Sequence, residues 1–130
     1  KNTWTKVQCN TEEWDTASAY DNTTNYRFQP TVAGYYQVTG NFSVEPSATT
    51  FTRVLCGLYK NGSEYKLYGD IVVSGTAYAG YNGNMSAAVY LNGSTDYIEL
   101  WGYGTSASAT FVYRGTQSTT YFSATLIRSA

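Results

Sequence analysis

The side chains that could do acid–base chemistry are nine carboxylates: Glu12, Glu13, Asp15, Asp21, Glu45, Glu64, Asp70, Asp96 and Glu99. Two of them flanking a cleft could run glycoside hydrolysis, one protonating the leaving oxygen while the other acts as base or nucleophile. Most fall in loops or on solvated strand faces, which speaks against such a pair. Glu12, Glu13, Asp15 and Asp21 crowd one segment, where Ca²⁺ could find several oxygen ligands. No EF-hand spacing is present, so the segment reads as a solvated acidic loop and no cofactor is expected, with calcium the open alternative. The chain has no histidine. That removes Ser-His-Asp and Cys-His nucleophiles, imidazole acid–base work and His-containing zinc sites. The two cysteines, Cys9 and Cys56, cannot build a four-thiolate site. They read as buried free thiols, on the faces of Val7 and of Val54 and Leu58, with a disulfide the alternative. The chain is expected not to be an enzyme.

The balance of residues points to recognition. Aromatics make up 17% of the 130 residues and charged residues 13%, about half the charged share usual for a soluble domain. Tyr and Trp offer rigid area with a polar tip, and Asn and Ser offer adaptable hydrogen bonds. Net charge is −1 with no basic cluster, which excludes nucleic-acid binding through phosphate neutralisation. No apolar run reaches the roughly 18 residues of a membrane span, so no membrane insertion is expected, and the first residues lack the apolar core of a signal peptide. Sequons occur at Asn22, Asn41, Asn61, Asn84 and Asn92. In a chain so rich in Asn, Ser and Thr they say little.

Strands must position these residues, because alternation dominates and no 3.6-residue apolar period appears. The pattern predicts strands at Thr3–Cys9, Tyr26–Gln29, Gly34–Glu45, Phe51–Lys60, Glu64–Tyr68, Asp70–Ser74, Met85–Leu91, Asp96–Tyr103, Thr110–Tyr113 and Thr120–Arg128. Asn61-Gly62, Asn82-Gly83 and Asn92-Gly93 mark tight turns, since both residue types tolerate φ > 0. The reading is one all-β domain over residues 1–130, an antiparallel sandwich or jelly roll. Parity assigns the faces. Tyr36, Val38, Gly40, Phe42 and Val44 point one way, and Gln37, Thr39, Asn41, Ser43 and Glu45 the other. Met85, Ala87, Val89 and Leu91 form a second inward set, and Phe122, Ala124 and Leu126 a third. Gly40 reads as room for a neighbouring ring. Bulky groups also stand on second faces, among them Leu55, Trp101 and Ile127, which suggests packing against neighbouring subunits. Loops are expected over Asn10–Asn25, Thr76–Asn84 and Gly104–Thr119.

Four stretches in order carry a family resemblance. YRFQPTVAGYYQVTGNFSV, with Phe28, Pro30, Gly34 and Tyr36, resembles the F-x-P-x-x-G-x-Y signature of the C1q/TNF-like superfamily. LYKNGSEY (Leu58–Tyr65) is similar to its Asn-Gly hairpin, SAAVYLNGSTDYIELWGYG (Ser86–Gly104) to its penultimate segment, and TTYFSATLIRSA to its terminal strand, with Ala124 where that strand usually has Gly. The resemblance implies a ten-strand antiparallel jelly-roll sandwich forming a homotrimer. The first strand, Phe51–Lys60, Asp96–Tyr103 and the last strand would share the sheet facing the three-fold axis. It makes Leu55, Tyr59, Tyr97, Trp101, Tyr121 and Ile127 trimer-interface candidates. Within the superfamily the chain looks most like bacteriophage fibre tips, which implies the C-terminal part of a longer fibre protein on the virion surface, binding a host receptor or glycan. Receptor-binding candidates on the loops are Trp14, Tyr20, Tyr78, Tyr81 and Tyr113. The alternatives are a structural trimerisation or capsid-decorating knob and a secreted or spore-surface C1q-like module, extracellular in that case.

Overall fold

The structure, a computed structural model, describes residues 2–46, 51–72, 80–106 and 111–130. These residues are all-β and contain no helix. The strands are β1 (Thr3–Lys6), β2 (Tyr20–Asp21), β3 (Arg27–Phe28), β4 (Gly34–Pro46), β5 (Phe51–Lys60), β6 (Ser63–Val72), β7 (Tyr81–Leu91), β8 (Ile98–Ser106), β9 (Phe111–Tyr113) and β10 (Tyr121–Ser129). They form two antiparallel sheets. One runs β2-β3-β8-β5-β6, with β1 also on β8; the other runs β10-β4-β7, with β9 also on β4. β1 follows β3 along one edge of β8, at 101–104 and at Ile98 respectively.

The inward rows meet between the sheets. From the four-stranded sheet come Tyr36, Val38, Phe42, Val44, Met85, Ala87, Val89 and Leu91; from the other come Val54, Cys56, Leu58, Ile98 and Leu100, with Val7 just past β1. Alternation picks out the rows of β4, β5 and β7 but says nothing of how the rows interlock. The Phe42 ring does that by resting on backbone. A Cβ on Gly83 would stand 2.5 Å from Phe42 Cε1, and one on Gly102 would stand 3.1 Å from Phe42 Cζ. Tyr113 closes the pocket edge-on, its centroid 5.3 Å from that of Phe42. Gly40 is a gap for aliphatic groups and not for a ring: Leu100 and Met85 occupy the space, both 3.2 Å from where its Cβ would be.

Only one of the three Asn-Gly pairs is a two-residue turn. Asn61 and Gly62 have φ of 54° and 78°, and Lys60 pairs with Ser63 across them, as a type I′ hairpin requires. Asn82-Gly83 lies inside β7, because Gly83 is needed beneath Phe42 and strand pairing continues through it to Tyr81. At Asn92-Gly93 only the glycine has positive φ, 71°. There the Asn92 side-chain oxygen accepts N–H bonds from Ser94, Thr95 and Asp96 at 2.9–3.0 Å, folding a longer connection. The two strands expected at Glu64–Tyr68 and Asp70–Ser74 are one as far as Val72, beyond which 73–79 lie outside the described residues. Gly69, with φ of 61°, forms a bulge between Tyr68 and Ile71 that keeps the ladder continuous.

The last strand is not in the sheet that the resemblance assigns to it. β10 runs beside β4, from Tyr121 opposite Asn41 to Ser129 opposite Gly34, whereas β1, β5 and β8 lie in the six-stranded sheet. Alternation gives a strand its faces but not its neighbour. Here Phe122 reaches across the sandwich to the rings of Tyr20 and Phe28, 5.6 and 6.4 Å away, so β10 belongs to the opposite layer. A bulge between Leu126 and Arg128 ends its inward row, and Leu126 is exposed.

Candidate functional site

The outer face of the six-stranded sheet is where bulky side chains gather away from the core. Because Ile98, Leu100 and Gly102 of β8 point inward, Tyr97, Glu99, Trp101 and Tyr103 must point outward. The register sets Trp4, Tyr103 and Leu55 in one row, Lys6, Trp101 and Gly57 in the next, and Glu99 opposite Tyr59 in a third. Four rings form a chain across three strands. Trp4 lies 5.4 Å from Tyr103 and 5.6 Å from Tyr59, and Tyr59 stacks on Trp101 at 4.8 Å and 26°. Gly57 is the floor that permits this, since a Cβ there would stand 2.9 Å from Trp4 Cζ3 and 3.1 Å from Tyr59 Cε2. Leu55 sits in the same face at 5% exposure.

A carboxylate is sunk among these rings. Glu99 is 5% exposed, a location that is costly for a charge unless both oxygens are engaged. They are: Lys6 Nζ lies 2.5 Å from Oε1, and Trp101 Nε1 donates to Oε2 at 3.0 Å. Lys6 also donates to the Asn25 carbonyl at 2.9 Å and stands 5.5 Å from the Trp101 ring centroid. The pair pins β1 to β8 and fixes the indole, so Glu99 is a strut rather than an available acid or base. At the end of the face the Arg27 guanidinium covers the Tyr97 ring at 4.3 Å, a cation–π contact.

Four interface candidates, Leu55, Tyr59, Tyr97 and Trp101, thus share one face. Tyr121 and Ile127 do not join them, because β10 lies in the other sheet, where both are exposed. Trp4, Lys6, Glu99 and Tyr103 belong to the face although they are not among the interface candidates that the resemblance names. Their signal was parity, opposite to Val7 just past β1 and to Leu100 on β8.

The receptor-binding candidates separate in the same way. Trp14 is 72% exposed on the loop before β2, which Asp15 braces by accepting the N–H bonds of Ala17 and Tyr20 at 3.2 and 2.8 Å. Tyr20, Tyr81 and Tyr113 are instead tied into packing. Tyr20 packs on Phe122, and burial, reinforced by Cys9, pushes its phenol up. Tyr81 donates to the Gly69 carbonyl at 2.9 Å beneath the bulge, and Tyr113 donates to the Thr5 carbonyl at 2.7 Å. Tyr78 lies outside the described residues. Two shallow depressions flank these loops. One of about 340 Å³ lies among Tyr20, Asp21, Arg27, Gln29 and Ser94, and one of about 460 Å³ among Thr5, Lys6, Gln8, Tyr113 and Arg114.

Three more acids, Asp21, Asp70 and Asp96, build local structure. Asp21 accepts from the backbone N–H groups of Thr24, Thr23 and Asn25 at 2.9, 3.0 and 3.1 Å and from the Asn25 amide at 2.7 Å. These bonds, Thr24 first, hold its carboxyl far below the usual range. Asp96 is lowered by the Asn61 amide at 2.8 Å and by Lys60 at 3.0 Å. Asp70 is lowered by Arg53, which donates to both its oxygens at 2.8 Å. Both cysteines are free thiols, and burial pushes Cys56 up to about 12. No helix among the described residues is long and apolar enough to cross a membrane. No protein-family model matches this chain, and no curated protein matches it.

Proposed function

We propose that the domain is a non-enzymatic recognition head that works as a homotrimer, its copies joined through the outer face of the six-stranded sheet. The observation that carries this reading is the ring chain Trp4–Tyr103 and Trp4–Tyr59–Trp101, with Leu55 and Glu99 beneath it, on a face turned away from the core. Contiguous aromatic area with a satisfied polar centre is the make-up of interface cores. Trimer stoichiometry and a host-surface receptor come from the resemblance to C1q/TNF-like heads and phage fibre tips. The contacting face here is built from β1, β5 and β8 without β10. The non-enzymatic reading draws on the lack of histidine and on the structural engagement of Asp21, Asp70, Asp96 and Glu99.

One further reading has an observation in its favour. The tethering of Tyr20, Tyr81 and Tyr113 removes three candidate contacts and suits a knob that registers a fibre without a ligand of its own. An adsorption assay separates the two. A recognition head, added as purified protein, binds host cells and competes with adsorption of the parent particle. A protein that does neither is the knob.

A further inference from the structure

The outer face of the four-stranded sheet differs in chemistry from the ring-bearing face. Its rows follow from the register: Tyr35 with Tyr90, Gln37 with Ala88 and Thr125, Thr39 with Ser86 and Ser123, Asn41 with Asn84 and Tyr121, and Ser43 with Asn82. Apart from Ala88, and from Arg128 opposite Tyr35 in the first row, every side chain in these rows ends in a hydroxyl, amide or phenol. A second cation, Lys60, stands at the same end, where it donates to the Tyr90 carbonyl at 2.8 Å. Tyr35, Tyr90 and Tyr121 are 51%, 42% and 44% exposed. The first two stand 5.5 Å apart at one end, and Tyr121 stands six residues of β4 away, about 20 Å along the strand.

We infer that this face binds a neutral oligosaccharide, laid along β4 between the tyrosine pair and Tyr121. This rests on the recognition role proposed above and assigns it a surface and a ligand class. The argument is complementarity. Amides and hydroxyls spaced about 4.8 Å across strands and about 7 Å along them present donors and acceptors together, as sugar hydroxyls require. Tyrosine rings supply flat area for sugar C–H faces. Acidic glycans or nucleic acid would need cations along the face, and Arg128 and Lys60 stand together at one end of it. A protein partner would need an apolar centre, and this face's exposed aliphatic groups are Ala88 within the rows and Ile127 at the end of β10, beside the bulge. The sheets pack back to back, so copies joined through the six-stranded sheet leave this face turned outward.

The test places the whole 130-residue chain on a microarray of neutral hexose and N-acetylhexosamine oligosaccharides beside sialylated and uronic-acid ones, followed by titration of the strongest probe. Neutral probes should be retained. The double variant Asn84→Ala/Tyr90→Ala should weaken Kd by about tenfold or more, Thr125→Glu should do likewise, and Trp14→Ala should change nothing. All four positions are exposed, and circular dichroism and the unchanged oligomeric mass show that the variants are folded. Retention of acidic probes alone, or binding indifferent to both face variants, overturns the inference. A blank array from a protein that still captures host cells overturns it and leaves the recognition role standing; a blank array with no capture removes both.

Discussion

At the scale of the residue, glycines carry much of the specificity, because flat rings rest directly on backbone. Gly83→Ala would drive a methyl into the Phe42 ring, where two sheets prevent retreat. It should cost about 3 kcal/mol, seen as a lower denaturant midpoint with an unchanged slope. Gly40→Ala meets only the flexible ends of Leu100 and Met85 at 3.2 Å and should cost about 1 kcal/mol. Equal losses at the two positions would contradict the packing described. Asp21 supplies a pH dependence. Its bonds require the carboxylate form, so the folded pKa lies below the unfolded one of about 4. The stability it contributes is present above that unfolded value and disappears as pH falls through the folded one. Asp21→Asn should therefore be less stable than the parent at neutral pH and converge on it in acid. Melting temperature followed against pH checks this; a parallel offset at every pH would speak against it.

At the scale of the element, what could be read in advance was the face of each long strand, and what could not was the company it keeps. Tyr36 to Val44 on β4 and Met85 to Leu91 on β7 bury the row that alternation picks out, because period 2 is a local property of the chain. The identity of β10's neighbour depends on Phe122 meeting Tyr20 and Phe28, contacts about a hundred residues apart in sequence that no local pattern encodes. Asn-Gly pairs show the same limit. Asn61-Gly62 turns because β5 and β6 continue as strands on either side, whereas Gly83 answers to Phe42. Gly62→Ala should lower stability by about 1–2 kcal/mol, since an alanine pays for the left-handed conformation at φ of 78°. The same change at Gly115, with nothing within 4 Å of a Cβ and no positive φ, should be close to neutral. Thermal melts of the two variants side by side give the comparison.

At the scale of the whole molecule, the two outer faces differ in chemistry, one bearing rings and the other mostly hydroxyls and amides. The ring-bearing face was half legible: parity put Leu55, Tyr59, Tyr97 and Trp101 outward, and the same rule held the unclaimed signal for Trp4 and Tyr103. Tyr121 and Ile127 could not be placed without knowing which sheet β10 joins. The loop tyrosines looked like ligand contacts by composition, yet Tyr81 and Tyr113 clasp backbone carbonyls of other strands and Tyr20 packs on Phe122, since a phenol serves as well for a clasp as for a probe. Among the described loop candidates only Trp14 stands free of such packing, at 72% exposure.

The central claim is that copies of this domain meet through Trp101 and its neighbours. Light scattering on the size-exclusion peak of the purified chain measures it directly, with Trp101→Ser run alongside. The account predicts a mass of three chains for the parent, and for the variant a smaller species or a trimer that dissociates on dilution and melts at lower temperature. A monomeric parent, or a variant that stays a fully stable trimer, would contradict it.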